Sequence, residues 1–232
     1  MRNLPFNSPL ATWVFAAAAF LPTFTSAQNA EEGEVDAKAE IAVLKVAFAR
    51  TLQSLSMEGG DSNASRVQLL DRSVLSWSNP ERATSSGALH LWVRDGRPQA
   101  AMCLYPQGPE GEAVTCECQS LSQESIAMSY NGQVVWNPAE SDMEFRSIGD
   151  ELSSPPRPNA NARLLQMRTL ARRFTAKVVP NNGSPKPLRC LTAPIYRYRF
   201  SSPDVEVVDA AIFAFVQGTD PEILLTIEAL QK

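Results

Sequence analysis

The chain has 232 residues with 21 basic and 25 acidic side chains, a net charge of −4, and 44% hydrophobic residues. An acidic balance of this size gives no global positive field for nucleic acid or anionic lipid, so nucleic-acid binding is disfavoured, while the length suffices to bury a real core. Four cysteines are too few for a disulfide scaffold, so packing must carry the fold.

Arg2 is the only charge ahead of an apolar run over residues 10–21, which Pro22 ends before the small residues Thr25, Ser26 and Ala27. A basic start, a short apolar stretch and a small-residue exit describe a secretory signal peptide over residues 1–27. The run is short of the roughly 20 residues that span a bilayer. No later segment is apolar enough to span, so no membrane span is expected after cleavage. Export to the periplasm or the cell exterior follows, with residues 28–35 as a flexible leader and 36–232 as a single soluble domain.

Asp36 is a candidate N-cap for a helix whose apolar residues Ile41, Leu44, Phe48, Leu52 and Leu55 recur at three and four, with Gly59-Gly60 as its stop. Residues 74–77 read as a short strand. Residues 88–105 form the clearest element, two apolar runs around Asp95-Gly96, a pair suited to the positive φ angles of a type I′ hairpin turn. An unbroken register from that turn places Leu89, Leu91, Val93, Ala100, Met102 and Leu104 on one face. The opposite, mixed face then holds Ala88, His90, Trp92, Ala101, Cys103 and Tyr105, and lines either a second core or a pocket.

Strands are expected at residues 113–121 and 125–130, then at 133–136 after an Asn131-Gly132 turn, with another short one near 145–148. The proline-rich residues 153–158 form a stiff connector. Asn159 or Asn161 caps a second helix with the stripe Leu164, Met167, Ala171, Phe174 and Val178, and Arg163, Arg168, Arg172 and Arg173 read as its solvated side. Three strands follow at 188–200, 207–217 and 223–229. The middle one is apolar on both faces and therefore central. The sum is an α+β fold, a curved antiparallel sheet of seven or more meandering strands covered by two amphipathic helices on the same layer.

The segments Leu91-Trp92-Val93-Arg94-Asp95-Gly96-Arg97-Pro98, residues 164–174, and Phe213-Ala214-Phe215-Val216-Gln217-Gly218-Thr219-Asp220-Pro221-Glu222 resemble a family of exported bacterial proteins with no assigned activity. The resemblance runs from about Gly87 onward. It implies one unit spanning both halves of the sheet and supplies no catalytic or binding residues.

Catalytic motifs are sparse. His90 is the single histidine, which excludes two-histidine zinc motifs, and its place between Leu89 and Leu91 in a strand ill suits a triad. No nucleophile elbow, S-x-x-K, phosphate loop or dinucleotide fingerprint is present. Cys103, Cys116 and Cys118 are expected on one face, with His90 diagonal to Cys103. Buried thiols, a disulfide from Cys103 (with Cys190 available to a leftover thiol) and a zinc site are the three readings of that group. No cofactor is expected.

Two functions follow. The first is a non-catalytic module that binds a ligand or an envelope protein through the mixed face, with His90, Trp92, Cys103 and Tyr105 as its contact residues. The second is a hydrolase built on the cysteine face or on carboxylates at residues 218–222, where Asp220 and Glu222 flank a proline. A buried, fixed acidic pair in a cleft would favour it.

Overall fold

A computed structural model describes residues 11–15, 30–59, 66–82, 84–107, 113–138, 143–148, 155–180, 183–203 and 205–231, with backbone alone for 11–15 and 30–40. In chain order the elements are β1 (Ala11–Phe15), α1 (Ala30–Gln53), β2 (Leu55–Gly59), β3 (Gln68–Leu69), β4 (Leu75–Asn79), a 3-10 turn (Pro80–Arg82), β5 (Thr84–Arg94), β6 (Arg97–Gln107) and β7 (Ala113–Ser120). Then come β8 (Ile126–Tyr130), β9 (Gln133–Trp136), α2 (Ala160–Ala171), β10 (Ala176–Val178), β11 (Lys186–Cys190), β12 (Tyr196–Ser201), β13 (Glu206–Gln217) and β14 (Asp220–Leu230). The fold is α+β, as expected, and its strands pair antiparallel in three sheets. The expected signal peptide falls outside the described residues, except that the backbone of 11–15 forms β1 along the edge of β7.

The first sheet runs β1-β7-β6-β5-β3, with β4 also on β5; the second runs β10-β11-β13-β12, with β14 on the other edge of β13; the third is β2-β8-β9. Tight turns set much of this order. Asp95 and Gly96 have φ of 50° and 82°, and Asn131 and Gly132 have 48° and 80°, so both hairpins close on the positive-φ turns their side chains favour. Gly218 at φ 63° turns β13 into β14.

Three cores separate four layers. Leu44 and Phe48 of α1 join Met57, Ile126, Met128 and Trp136 of the third sheet against Trp92, Met102 and Leu104 of the first. The far face of the first sheet, with Leu89, Leu91, Ala101 and Cys103, packs on Tyr198, Val207, Ala210 and Ile212 of the second. The second sheet's outer face meets α2 through Ala211, Phe213, Met167, Leu170 and Ala171. β13 is therefore covered on both sides, and each of its large side chains contributes about 1.5–3 kcal/mol by burial.

Several expectations need correction. The helices do not share a layer: α1 covers the first core and α2 the third. α1 starts at Ala30, so residues 30–35 are helix and Asp36 lies inside it, and it stops at Gln53, so Leu55 belongs to β2. Ile41 is exposed. Asn159 is the cap of α2, accepting from the Ala162 N–H at 2.8 Å, but the helix ends at Ala171 and leaves Phe174 outside it, 43% exposed. Residues 143–148 form no strand. The expected strand at 188–200 divides into β11 and β12, because the chain leaves the β13 ladder at Thr192–Pro194 and returns with Ile195.

Candidate functional site

The β5–β6 hairpin decides which side chains meet. Its first pairs, Arg94↔Arg97 and Val93↔Pro98, follow the expected register, but Trp92 then pairs with Ala100. Gln99 is an extra residue in β6, a bulge beside a proline that has no N–H to offer the ladder. Beyond it β6 is flipped relative to the expectation. Ala101, Cys103 and Tyr105 share a face with Leu89 and Leu91, whereas His90 and Trp92 lie on the opposite side with Met102 and Leu104. The expected mixed face with His90, Trp92, Cys103 and Tyr105 together is not formed.

The same slip separates the thiols. Cys103 faces Glu117 across β6–β7, while Cys116 pairs with Leu104 and Cys118 with Met102. Cys116 and Cys118 enter the α1 core and Cys103 enters the core between sheets. Cys190, half-buried, lies in the α2 layer. All four are free thiols, and no group of three His, Cys, Asp or Glu converges on a metal position among the described residues. Burial pushes the Cys116 thiol up to about 12 and raises Cys103 and Cys118 as well, so none is an activated nucleophile. His90 is buried with Nδ1 unpartnered among the described residues, and burial lowers its pKa. Trp92 Nε1 is likewise buried without a partner.

Polar groups converge instead at one end of the interface between the first two sheets. Asp220 and Glu222 both reach Arg82 from the start of β14, where the register shifts and Glu222 is an extra residue between the pairs Val216↔Pro221 and Phe215↔Ile223. Asn79, 1% exposed at the end of β4, donates from Nδ2 to Asp220 Oδ2 at 2.9 Å. Arg82 follows in the 3-10 turn, its Nη1 donating to the same oxygen at 3.2 Å and its Nη2 lying 2.7 Å from Glu222 Oε1. That second contact is a close ion pair without hydrogen-bond alignment, so Oε1 remains a buried acceptor with no donor among the described residues. Thr219 Oγ1 donates to Ser78 O at 2.7 Å and accepts from Ser78 N at 2.9 Å, which fixes the β13–β14 turn against β4.

The first sheet supplies the other wall. Tyr105 donates its hydroxyl to Glu117 Oε1 at 2.6 Å, and its ring lies 5.6 Å from that of Trp77, centre to centre. Trp77 is buried with Nε1 unpartnered among the described residues. Burial is the largest influence on both β14 carboxyls and raises the pKa of each; Arg82 opposes the rise, and the charges of Asp220 and Glu117 add to it at Glu222. Burial, then the bond to Glu117, also raises Tyr105. Two carboxyls, Asp220 and Glu222, thus share Arg82, the third, Glu117, is held by Tyr105, and the charges of all three act on the Cys103 thiol.

This cluster contains two of the residues singled out from the sequence, Tyr105 and Cys103, along with the carboxyls at 220 and 222 that the hydrolase reading named. Sequence reasoning missed Trp77, Asn79, Arg82 and Glu117. Their contacts reach across as many as 141 positions of chain, and no local pattern announces them. Two shallow hollows lie elsewhere, one lined by Ala160, Arg197, Arg199 and Asp209, the other by Pro155, Pro156, Arg163 and Leu230. No family model, no curated protein and no solved structure matches this chain.

Proposed function

We propose that this chain is an exported, non-catalytic module that binds a ligand or partner of the cell envelope. The observation that carries it is the state of the reactive groups. Asp220 is held by Asn79 and Arg82, Glu222 by Arg82 and Glu117 by Tyr105, while the thiols of Cys103, Cys116 and Cys118 are buried. The carboxylates are employed in joining strands and turns, the thiols are buried with raised pKa values, and His90 Nδ1 has no hydrogen-bond partner among the described residues. The native mass of the protein taken from its exported compartment tests this reading. A companion molecule that leaves on denaturation supports it. Turnover of generic ester, phosphoester, glycoside or peptide substrates, abolished in a folded Asp220→Asn variant, overturns it.

One observation favours the alternative hydrolase. Asp220 and Glu222 are a buried, fixed pair with raised pKa values, the condition under which one carboxyl keeps a proton that its neighbour lacks. The same turnover assay decides between the two readings.

A further inference from the structure

The net charge of −4 conceals a division along the chain. Residues 152–203 carry ten basic side chains and no acidic one, and the remainder carries eleven basic against 25 acidic. That stretch folds as neighbouring elements: β10 pairs with β11, β11 and β12 lie along one edge of β13, and α2 packs over β13 and β14. Arg168 Nε donates to Thr192 O at 2.8 Å and so ties α2 to the connection between β11 and β12.

Among the described residues, few acids reach this region. Asp209 is buried and already held by Arg163 and Arg197, Glu81 pairs with Lys186 at 3.3 Å, and Glu206 stands at the far end of β12 opposite Ser201. Arg157, Arg172, Lys177 and Arg199 are exposed and have no ion-pair partner among the described residues. Apolar side chains share the surface: Leu165 is 65% exposed, Phe174 43% and Val179 68%. Leu165 lies on the side of α2 turned away from Met167, Leu170 and Ala171, with Arg168 three residues on as its helical neighbour.

Exposed aliphatic and aromatic groups among unpaired cations fit a boundary that is anionic at its surface and apolar just beneath. We propose that the face formed by α2, β10, β11 and β12 docks on an anionic phospholipid bilayer. A soluble polyanion would satisfy the cations but would offer no apolar phase to Leu165, Phe174 and Val179. This inference rests on the binding-module reading and names its partner.

The test is co-sedimentation of the exported form with vesicles of phosphatidylcholine alone or mixed equally with phosphatidylglycerol. Binding is expected to the mixed vesicles only and to fall as salt is raised. Each cation near the surface is worth roughly fivefold in partition, so the triple variant Arg172→Gln, Lys177→Gln, Arg199→Gln weakens binding by about a hundredfold. Arg50→Gln with Arg72→Gln, exposed cations outside the segment, leaves it unchanged. Phe174→Ser weakens binding while keeping its salt dependence. The proposal fails if mixed vesicles do not bind, if the Arg50 and Arg72 control loses as much, or if soluble polyphosphate binds and vesicles do not. A bound companion in the native mass together with failed vesicle binding overturns the bilayer as partner and leaves the binding-module reading standing. Loss of both removes both.

Discussion

Gly87 lies opposite Trp77 in the β4–β5 pair, and a Cβ at position 87 would stand 2.3, 2.4 and 2.7 Å from three atoms of the indole ring. Ordinary contact begins near 3.4 Å, so Gly87→Ala requires the ring to retreat by roughly 1 Å. The ring has little freedom to do so. It is 6% exposed and packed against Tyr105, whose hydroxyl is bonded to Glu117. Overfilling a packed core costs about 1–3 kcal/mol, and a rigid ring against backbone belongs at the upper end. In a domain of this size each kcal/mol shifts the midpoint by about 2–4 °C, so Tm should fall by about 6–12 °C.

Trp77→Leu supplies the control. Alone it is destabilising, because a large buried ring is lost. In that background the methyl at position 87 enters space the ring has left, and Gly87→Ala should then cost nothing or stabilise slightly. The coupling between the two changes is therefore about 3 kcal/mol, read from urea unfolding followed by far-ultraviolet circular dichroism. A Gly87→Ala protein within about 0.5 kcal/mol of the parent would refute the packing argument. So would an equal cost in the two backgrounds.

Three further outcomes follow. Asp209 accepts from Arg197 at 2.8 and 2.6 Å and from Arg163 at 2.9 Å, so Asp209→Asn should cost about 3 kcal/mol, the low end for a broken buried pair because Arg197 is 32% exposed; unfolding midpoints within 2 °C of the parent would sink this. Burial pushes Asp209 up, but the bonds from Arg197 and Arg163 outweigh it and hold its pKa below the usual value, so its stabilisation is present above the ordinary carboxylate range and lost as pH falls through the lowered one. Asp220 and Glu222 have the opposite sign: raised in the fold, they contribute fully below about pH 4 and lose that contribution as pH rises through their folded values. The Asp220→Asn, Glu222→Gln variant should therefore lose less stability than the parent between pH 4 and 7, and parallel Tm curves would contradict it. Finally, a thiol reagent at pH 8 should modify Cys190 first, with Cys103, Cys116 and Cys118 following only at the rate of unfolding; an intact mass two hydrogens light would show a disulfide instead.

The elements were legible where a local signal is strong. Asp95-Gly96 and Asn131-Gly132 marked their hairpins because few residues tolerate positive φ, and the two-sided apolar run of β13 marked it as central. Boundaries fared worse where tertiary contact overrides periodicity. The stripe through Phe174 and Val178 is helical in spacing, yet the chain leaves the helix at Ala171 to supply β10 to the second sheet.

The candidate site was illegible for a more specific reason. A hairpin register read outward from its turn holds only until an extra residue enters, and Gln99 enters two pairs from the turn. The change is one residue, but side chains alternate with period two, so every position of β6 beyond it exchanges faces. Cys103 and Tyr105 move to the interface between sheets, where Glu117, Asp220 and Glu222 wait, and His90 and Trp92 stay behind under α1. Pro98 was visible and names the place where the ladder lacks a donor, but it does not say whether the chain answers with a bulge or with an edge. The division of charge is the converse case. It is present in the sequence as an acid-free run of ten cations, and the whole-chain net hides it because the opposing charges sit in other elements. A field at a surface depends on what lies within about a Debye length, so the relevant sum is taken over elements that fold together. That sum needs the topology first, which is why α2, β10, β11 and β12 emerge as one cationic face only after β11 and β12 are both placed on β13.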